Sequence, residues 1–100
     1  MGDELDKALE EHTVVVVSKT WCGFCSRVKS VLGGYPINDM VVLECDSKPG
    51  IQSRATELTG QRTVPNVFIA GKSYGGCDKV VALHNSGQLQ TILSEAGALE

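Results

Sequence analysis

The chain has 100 residues, 42% of them hydrophobic, and a formal net charge of −3. That length and apolar content fit one compact domain that buries its own core, and they do not fit two. Acidic and basic residues are spread through the chain, so no basic face is offered to nucleic acid and no polybasic patch to a membrane.

The segment 3–12 reads as a helix. Leu5, Ala8, Leu9 and His12 recur at three- and four-residue spacing, and Asp3 can cap it. The acidic start, Met1-Gly2-Asp3-Glu4, has no apolar core of a secretory signal. The segment 13–18 is β-branched and continuous rather than alternating, as expected of a strand covered on both faces. A short loop, Lys19-Thr20-Trp21, leads into a helix over 23–32 that Gly33-Gly34 stops. The segment 40–45 reads as a second buried-type strand, 46–50 as a turn, and 51–58 as a helix ended by Gly60.

The segment 64–70 reads as a third strand with Pro65 near its start. Gly71-Lys72 reads as a hairpin turn into Ser73-Tyr74. Gly75-Gly76 leads to a helix with Asp78 in its first turn, which Gly87 breaks. A last helix covers 88–96, with Leu89, Ile92 and Leu93 as its apolar stripe. The order αβαβαββαα predicts an α/β fold with a mixed sheet and helices on both faces. The longest strongly apolar run, Val14 to Val17, is far short of the roughly 20 residues of a membrane span.

Four cysteines occur: Cys22, Cys25, Cys45 and Cys77. Without a secretory signal, and with enough apolar content to need no cross-links, the setting expected is intracellular and reducing. The reading is cytoplasmic, or organellar if a transit peptide preceded this sequence. Cys22 falls where a strand hands over to a helix. Free backbone N–H groups and the helix dipole stabilise a thiolate there. A cysteine pKa of about 8.5 falls to roughly 3.5–7.5 in such a place. Lys19 adds a positive charge nearby. Cys25 lies one turn on, less exposed. The pair therefore reads as an attacking thiolate, Cys22, and a resolving thiol, Cys25. The competing reading is half of a zinc site. It needs two more ligands from Cys45, Cys77, His12 and His84, none of which forms a second close pair.

Two further segments stand out. Thr63-Val64-Pro65 is either an ordinary edge-strand proline or a cis turn that offers the Val64 backbone to an extended peptide. Gly75-Gly76-Cys77-Asp78 is either a plain turn with an acidic helix start or a carboxylate site on the N–H groups of Cys77 and Asp78.

Taken together, these segments resemble the dithiol glutaredoxins over essentially 14–99. The likeness rests on the run from Val16 through Trp21-Cys22-Gly23-Phe24-Cys25, on Leu58-Thr59-Gly60-Gln61-Arg62-Thr63-Val64-Pro65-Asn66-Val67-Phe68-Ile69, and on Gly75-Gly76-Cys77-Asp78. The resemblance implies a thioredoxin fold with a four-stranded mixed sheet, and a glutathione site. Lys19 and Gln52 would meet the glycyl carboxylate, with Arg62 assisting. Val64 would pair with the cysteinyl backbone, Thr63 and Pro65 would shape the groove, and Phe24 would form an aromatic wall. Gly76, Cys77 and Asp78 would hold the γ-glutamyl end. The implied activity is reduction of protein–glutathione mixed disulfides and protein disulfides by a monomer. Gly23-Phe24 departs from the Pro-Tyr common between the cysteines of such proteins. Some plant-type relatives with a glycine there bind a [2Fe–2S] cluster as a dimer, through one active-site cysteine per subunit and two glutathiones. The alternative is thus a cluster-bridged dimer using Cys22.

Overall fold

The computed structural model of the chain describes residues 3–100, with Asp3 described by its backbone alone. Met1, Gly2 and the proposed capping side chain of Asp3 lie outside the described residues. Nine elements follow in the order α1 (Asp3–Glu11), β1 (Val14–Ser18), α2 (Gly23–Gly33), β2 (Met40–Glu44), α3 (Pro49–Thr59), β3 (Asn66–Ile69), β4 (Lys72–Gly75), α4 (Cys77–Asn85) and α5 (Gln88–Glu95). The strands form one sheet in the order β2-β1-β3-β4. β1 runs parallel to β2 and antiparallel to β3, and β3 pairs antiparallel with β4. The sheet is mixed, as the element order predicted, because the β1-α2-β2 crossover forces a parallel pair and the β3-β4 hairpin an antiparallel one.

The unbroken Val14-Val15-Val16-Val17 run is explained by its place in the sheet. All five residues of β1 are buried. Val14 and Val16 face a core with Val28, Leu32, Val67, Ile69, Val80, Leu89 and Leu93. Val15 and Val17 face a second core with Leu5, Ala8, Ile51, Ala55 and Phe68. Successive side chains point to opposite faces, so a strand covered on both sides must be apolar at every position. Helices α2, α4 and α5 build the first core, and α1 and α3 the second.

The structure revises several details. β2 is an edge strand rather than a fully covered one: Met40 is 36% exposed and the rest of the strand is half-buried. Cys45 lies just past it, buried. Helix α3 starts earlier than read, at Pro49, which suits a first-turn position that needs no N–H donor. Pro65 precedes β3 and does not belong to it. The hairpin turn sits one residue earlier than Gly71-Lys72. Ala70 and Gly71 both take positive φ, 52° and 81°, the pattern of a two-residue turn whose twist matches its strands. Gly87, at φ 81°, ends α4 and opens α5.

Candidate active site

The Cys22-Gly23-Phe24-Cys25 motif sits at the carboxyl end of β1, where the chain turns into α2. Cys22 is the cap residue of that helix, with extended backbone (φ −96°, ψ 120°), and its Sγ accepts the backbone N–H of Cys25 at 3.4 Å. The loop before it is tethered to the turn that follows the neighbouring strand, β2. The Asp46 carboxylate accepts the Thr20 backbone N–H at 3.1 Å and the Thr20 hydroxyl at 2.9 Å. Asp46 was read only as part of a turn. Its structural role is to fix the approach to Cys22, and the Thr20 backbone bond holds its carboxyl below the usual carboxylate range.

All four cysteines are free thiols, and the two of the motif are tuned in opposite directions. The hydrogen bond from the Cys25 side chain, followed by the backbone N–H groups of Cys25 and Phe24, pulls the Cys22 pKa below the ordinary cysteine value. Lys19 adds the smallest of these contributions. Its ammonium lies 5.5 Å from the Trp21 ring centroid. Helix-start donors therefore matter more than the nearby charge, and an N–H aimed at sulfur is worth more than a solvated ammonium. Cys25 is fully buried, and desolvation pushes its pKa up. Burial raises Cys45 as well. Of the two neighbouring thiols, the one at the helix start is thus the readier thiolate and the buried one the less ready.

Beside the motif runs a groove of about 800 Å³. Of the residues singled out in the sequence, Phe24, Thr63, Val64, Pro65, Gly76, Cys77 and Asp78 all line it. Lys19 and Gln52 lie outside this lining. Gln52 instead donates its side-chain amide to the Arg62 carbonyl at 2.8 Å and lies 3.9 Å from the Cys45 sulfur. Phe24 is 64% exposed and stands as one wall. Trp21 projects into solvent with 75% of its surface exposed.

The opposite wall comes from the segment before β3 and the start of α4. The Val64–Pro65 peptide bond is cis, and the Val64 N–H and C=O enter no hydrogen bond among the described residues. Gly76 caps α4 in extended conformation, and a Cβ there would come within 3.3 Å of the Pro65 carbonyl oxygen. A side chain there would press against that carbonyl and need it to yield by a few tenths of an ångström, so glycine lets the two segments meet closely. Asp78 stands exposed in the first turn of α4. Like Asp46, one groove residue was given no role in the sequence reading. Gln61 lines the groove and donates to the carbonyls of both Thr63 and Pro65. Among the described residues, His, Cys, Asp and Glu side chains nowhere converge in a group of three or more that could hold a metal ion. No helix of those residues is long and apolar enough to cross a membrane.

This sheet with its five helices is the thioredoxin-like α/β fold, and a cysteine pair at its strand-to-helix junction marks the class of thiol–disulfide oxidoreductases. The glutaredoxin family model matches residues 14–74. A glutaredoxin of Ricinus communis is 48% identical over 93 residues, covering 91% of this chain and 91% of that protein. A chloroplastic glutaredoxin of Arabidopsis thaliana is 42% identical over 100 residues, and the match spans 96% of this chain but 57% of that longer protein. The crystal structure of a buckwheat glutaredoxin–glutathione complex superposes with a TM-score of 0.90 at 40% identity, over 99% of this chain and 92% of that one. The chain belongs to the glutaredoxin family.

Proposed function

We propose that the protein reduces protein–glutathione mixed disulfides, and protein disulfides, with glutathione as co-substrate. The observation that carries this reading is the opposite tuning of Cys22 and Cys25 at the start of a helix whose Phe24 walls the groove. The buckwheat relative was crystallised with glutathione, which supports the choice of ligand.

The groove suits an extended tripeptide with two carboxylates, an amine and a thiol. Val64 offers one free N–H and one free C=O, the pair an added strand requires. Thr63 and Pro65 flank that pairing point. The start of α4, at Gly76, Cys77 and Asp78, offers unpaired N–H groups to the γ-glutamyl carboxylate, and the Asp78 carboxylate accepts from its amine. Lys19 and Gln52 serve the glycyl carboxylate from outside the main groove.

In the reaction, the Cys22 thiolate attacks the glutathione sulfur of the mixed disulfide. The S–S bond breaks, and the target protein leaves as a thiolate that takes a proton from water. A second glutathione thiolate then attacks the Cys22–glutathione disulfide, restoring the Cys22 thiolate and releasing oxidised glutathione. With a protein disulfide, the Cys25 thiol loses its proton and displaces the target from Cys22, closing the Cys22–Cys25 disulfide. Two glutathiones reopen it. The test is steady-state turnover of a glutathionylated peptide by the reduced protein with glutathione. Turnover well above the uncatalysed rate is expected. A rate equal to glutathione alone would refute the reading.

A second reading rests on Gly23. A Cβ at this position would meet nothing within 4 Å, so the space beside Cys22 is open. Among the described residues, one chain supplies no converging ligand set. A [2Fe–2S] cluster would therefore need Cys22 from two chains and two further thiolates, which glutathione can provide. Anaerobic reconstitution with iron, sulfide and glutathione separates the readings. A visible absorbance band with dimerisation supports the cluster, and a colourless monomer excludes it.

A further inference from the structure

Three of the four carbonyls along the wall segment 62–65 are already taken. The Gln52 amide, from α3, holds the Arg62 carbonyl at 2.8 Å. The Gln61 amide reaches past its own backbone and donates to the Thr63 carbonyl and to the Pro65 carbonyl, each at 2.9 Å. A primary amide nitrogen has two N–H donors, so these two bonds use it completely. The Val64 carbonyl, between them, is left without a partner among the described residues.

The clamp is itself held in place. The Gln61 backbone N–H donates to the Thr59 hydroxyl at 3.1 Å, and Thr59 in turn accepts from the buried Asn66 amide at 3.1 Å. On the groove side, a Cβ on Gly76 would lie 3.7 Å from the Gln61 amide nitrogen, so the start of α4 closes over it. Gln61 thus ties together the end of α3, the Thr63-Val64-Pro65 wall and the α4 cap.

We infer that Gln61 is a positioning residue that makes Val64 the single point at which an extended peptide pairs with this wall. The inference rests on the glutathione reading given above. An unfastened loop would leave three neighbouring carbonyls free to turn toward the groove. Binding would then have to order the loop as well as the ligand, and that ordering weakens affinity. With its two flanking carbonyls satisfied internally, the segment presents one acceptor and one donor in fixed positions. Gln61 touches no reacting atom, so its loss should weaken binding in ground state and transition state alike.

The test compares wild type with Gln61→Met, which keeps the length without the donors, and Gln61→Glu, which sets a carboxylate against two carbonyls. Each is assayed with a glutathionylated peptide and, in single turnovers without glutathione, with 2,2′-dithiodipyridine, a disulfide that has no peptide backbone. The expected result is a KM for the glutathionylated peptide raised about tenfold, with kcat and the dithiodipyridine rate as in wild type. An unchanged KM in both variants would overturn the inference and leave the functional reading standing. An equal loss on the two disulfides would also overturn it, because that is the mark of a general structural role. A wild-type protein that fails to turn over the glutathionylated peptide would overturn the functional reading and this inference with it.

Discussion

Cys22→Ser is expected to abolish turnover of a glutathionylated peptide, whereas Cys25→Ser retains it. Cys22 is the partly exposed thiol at the helix start, with its pKa lowered by donors from Cys25 and Phe24. A serine hydroxyl in the same place stays protonated at neutral pH, so the nucleophile is lost. Cys25 is buried with a raised pKa, and in the proposed mechanism it acts after the mixed disulfide has formed. Its loss removes the two-thiol route to protein disulfides and spares the route in which a second glutathione attacks. The replacement chosen for Cys25 matters. The Cys25 side chain is the largest influence lowering Cys22, through its hydrogen bond. Serine keeps a donor there and alanine does not. Cys25→Ala should therefore raise the pH at which Cys22 becomes reactive, while Cys25→Ser leaves it nearer the wild-type position. Full activity in Cys22→Ser would defeat the assignment of the nucleophile.

The second large effect is on stability. Phe68→Ala is expected to cost about 3–5 kcal/mol. The ring is 2% exposed and packs in the core formed with Leu5, Val15, Val17, Ile51 and Ala55. Such a loss is a large part of the roughly 5–15 kcal/mol by which a domain is stable. Phe68 is absent from the lining of the main groove, so the folded fraction should retain Cys22 reactivity. Urea unfolding should show a lower midpoint with little change in slope. A midpoint close to wild type would mean that this core carries less of the stability than its burial implies.

The parts of the fold that were legible in the sequence are those set by local pattern. Four consecutive β-branched valines suggest a strand buried on both sides, and β1 is that strand. Glycine pairs marked the ends of α2 and β4 because glycine is tolerated where chains turn or approach closely. Properties set by neighbours in space were not legible. Val41, Val42 and Leu43 look like a central strand, yet β2 has a partner on one side only. Its apolar residues are explained by the helices over its faces, which periodicity does not locate. The hairpin slipped by one residue because Ala70 adopts a positive φ, a conformation its side chain rarely takes.

The candidate site divides in the same way. Cys22 and Cys25 announce themselves by spacing and placement, whereas Thr63, Val64, Pro65, Gly76, Cys77 and Asp78 were assigned only through the resemblance, and the fold brings these six to one groove. Gln61 and Asp46 announce themselves in neither way. A glutamine in a polar loop and an aspartate in a turn carry no distinctive signal. Their roles arise from hydrogen bonds to backbone groups, Asp46 reaching Thr20 from the far end of β2 and Gln61 clamping the wall beside it. Gln52 adds a bond of the same kind: the resemblance assigned it to a carboxylate, and its amide also donates to the Arg62 carbonyl, which no pattern in the sequence announces.

The central claim is that Cys22 is the lowered, reactive thiol and Cys25 the raised, buried one. The direct measurement is the rate of iodoacetamide alkylation of each cysteine in the reduced protein as a function of pH, with the site read by mass spectrometry. Thiolate is the reacting form, so a lowered pKa keeps Cys22 reactive below the pH at which an ordinary cysteine loses its reactivity. The expected result is Cys22 labelled first, with a midpoint below the ordinary cysteine value, and Cys25 and Cys45 lagging at every pH. A Cys22 midpoint at or above the ordinary value, or labelling of Cys25 as fast as Cys22, would contradict the account.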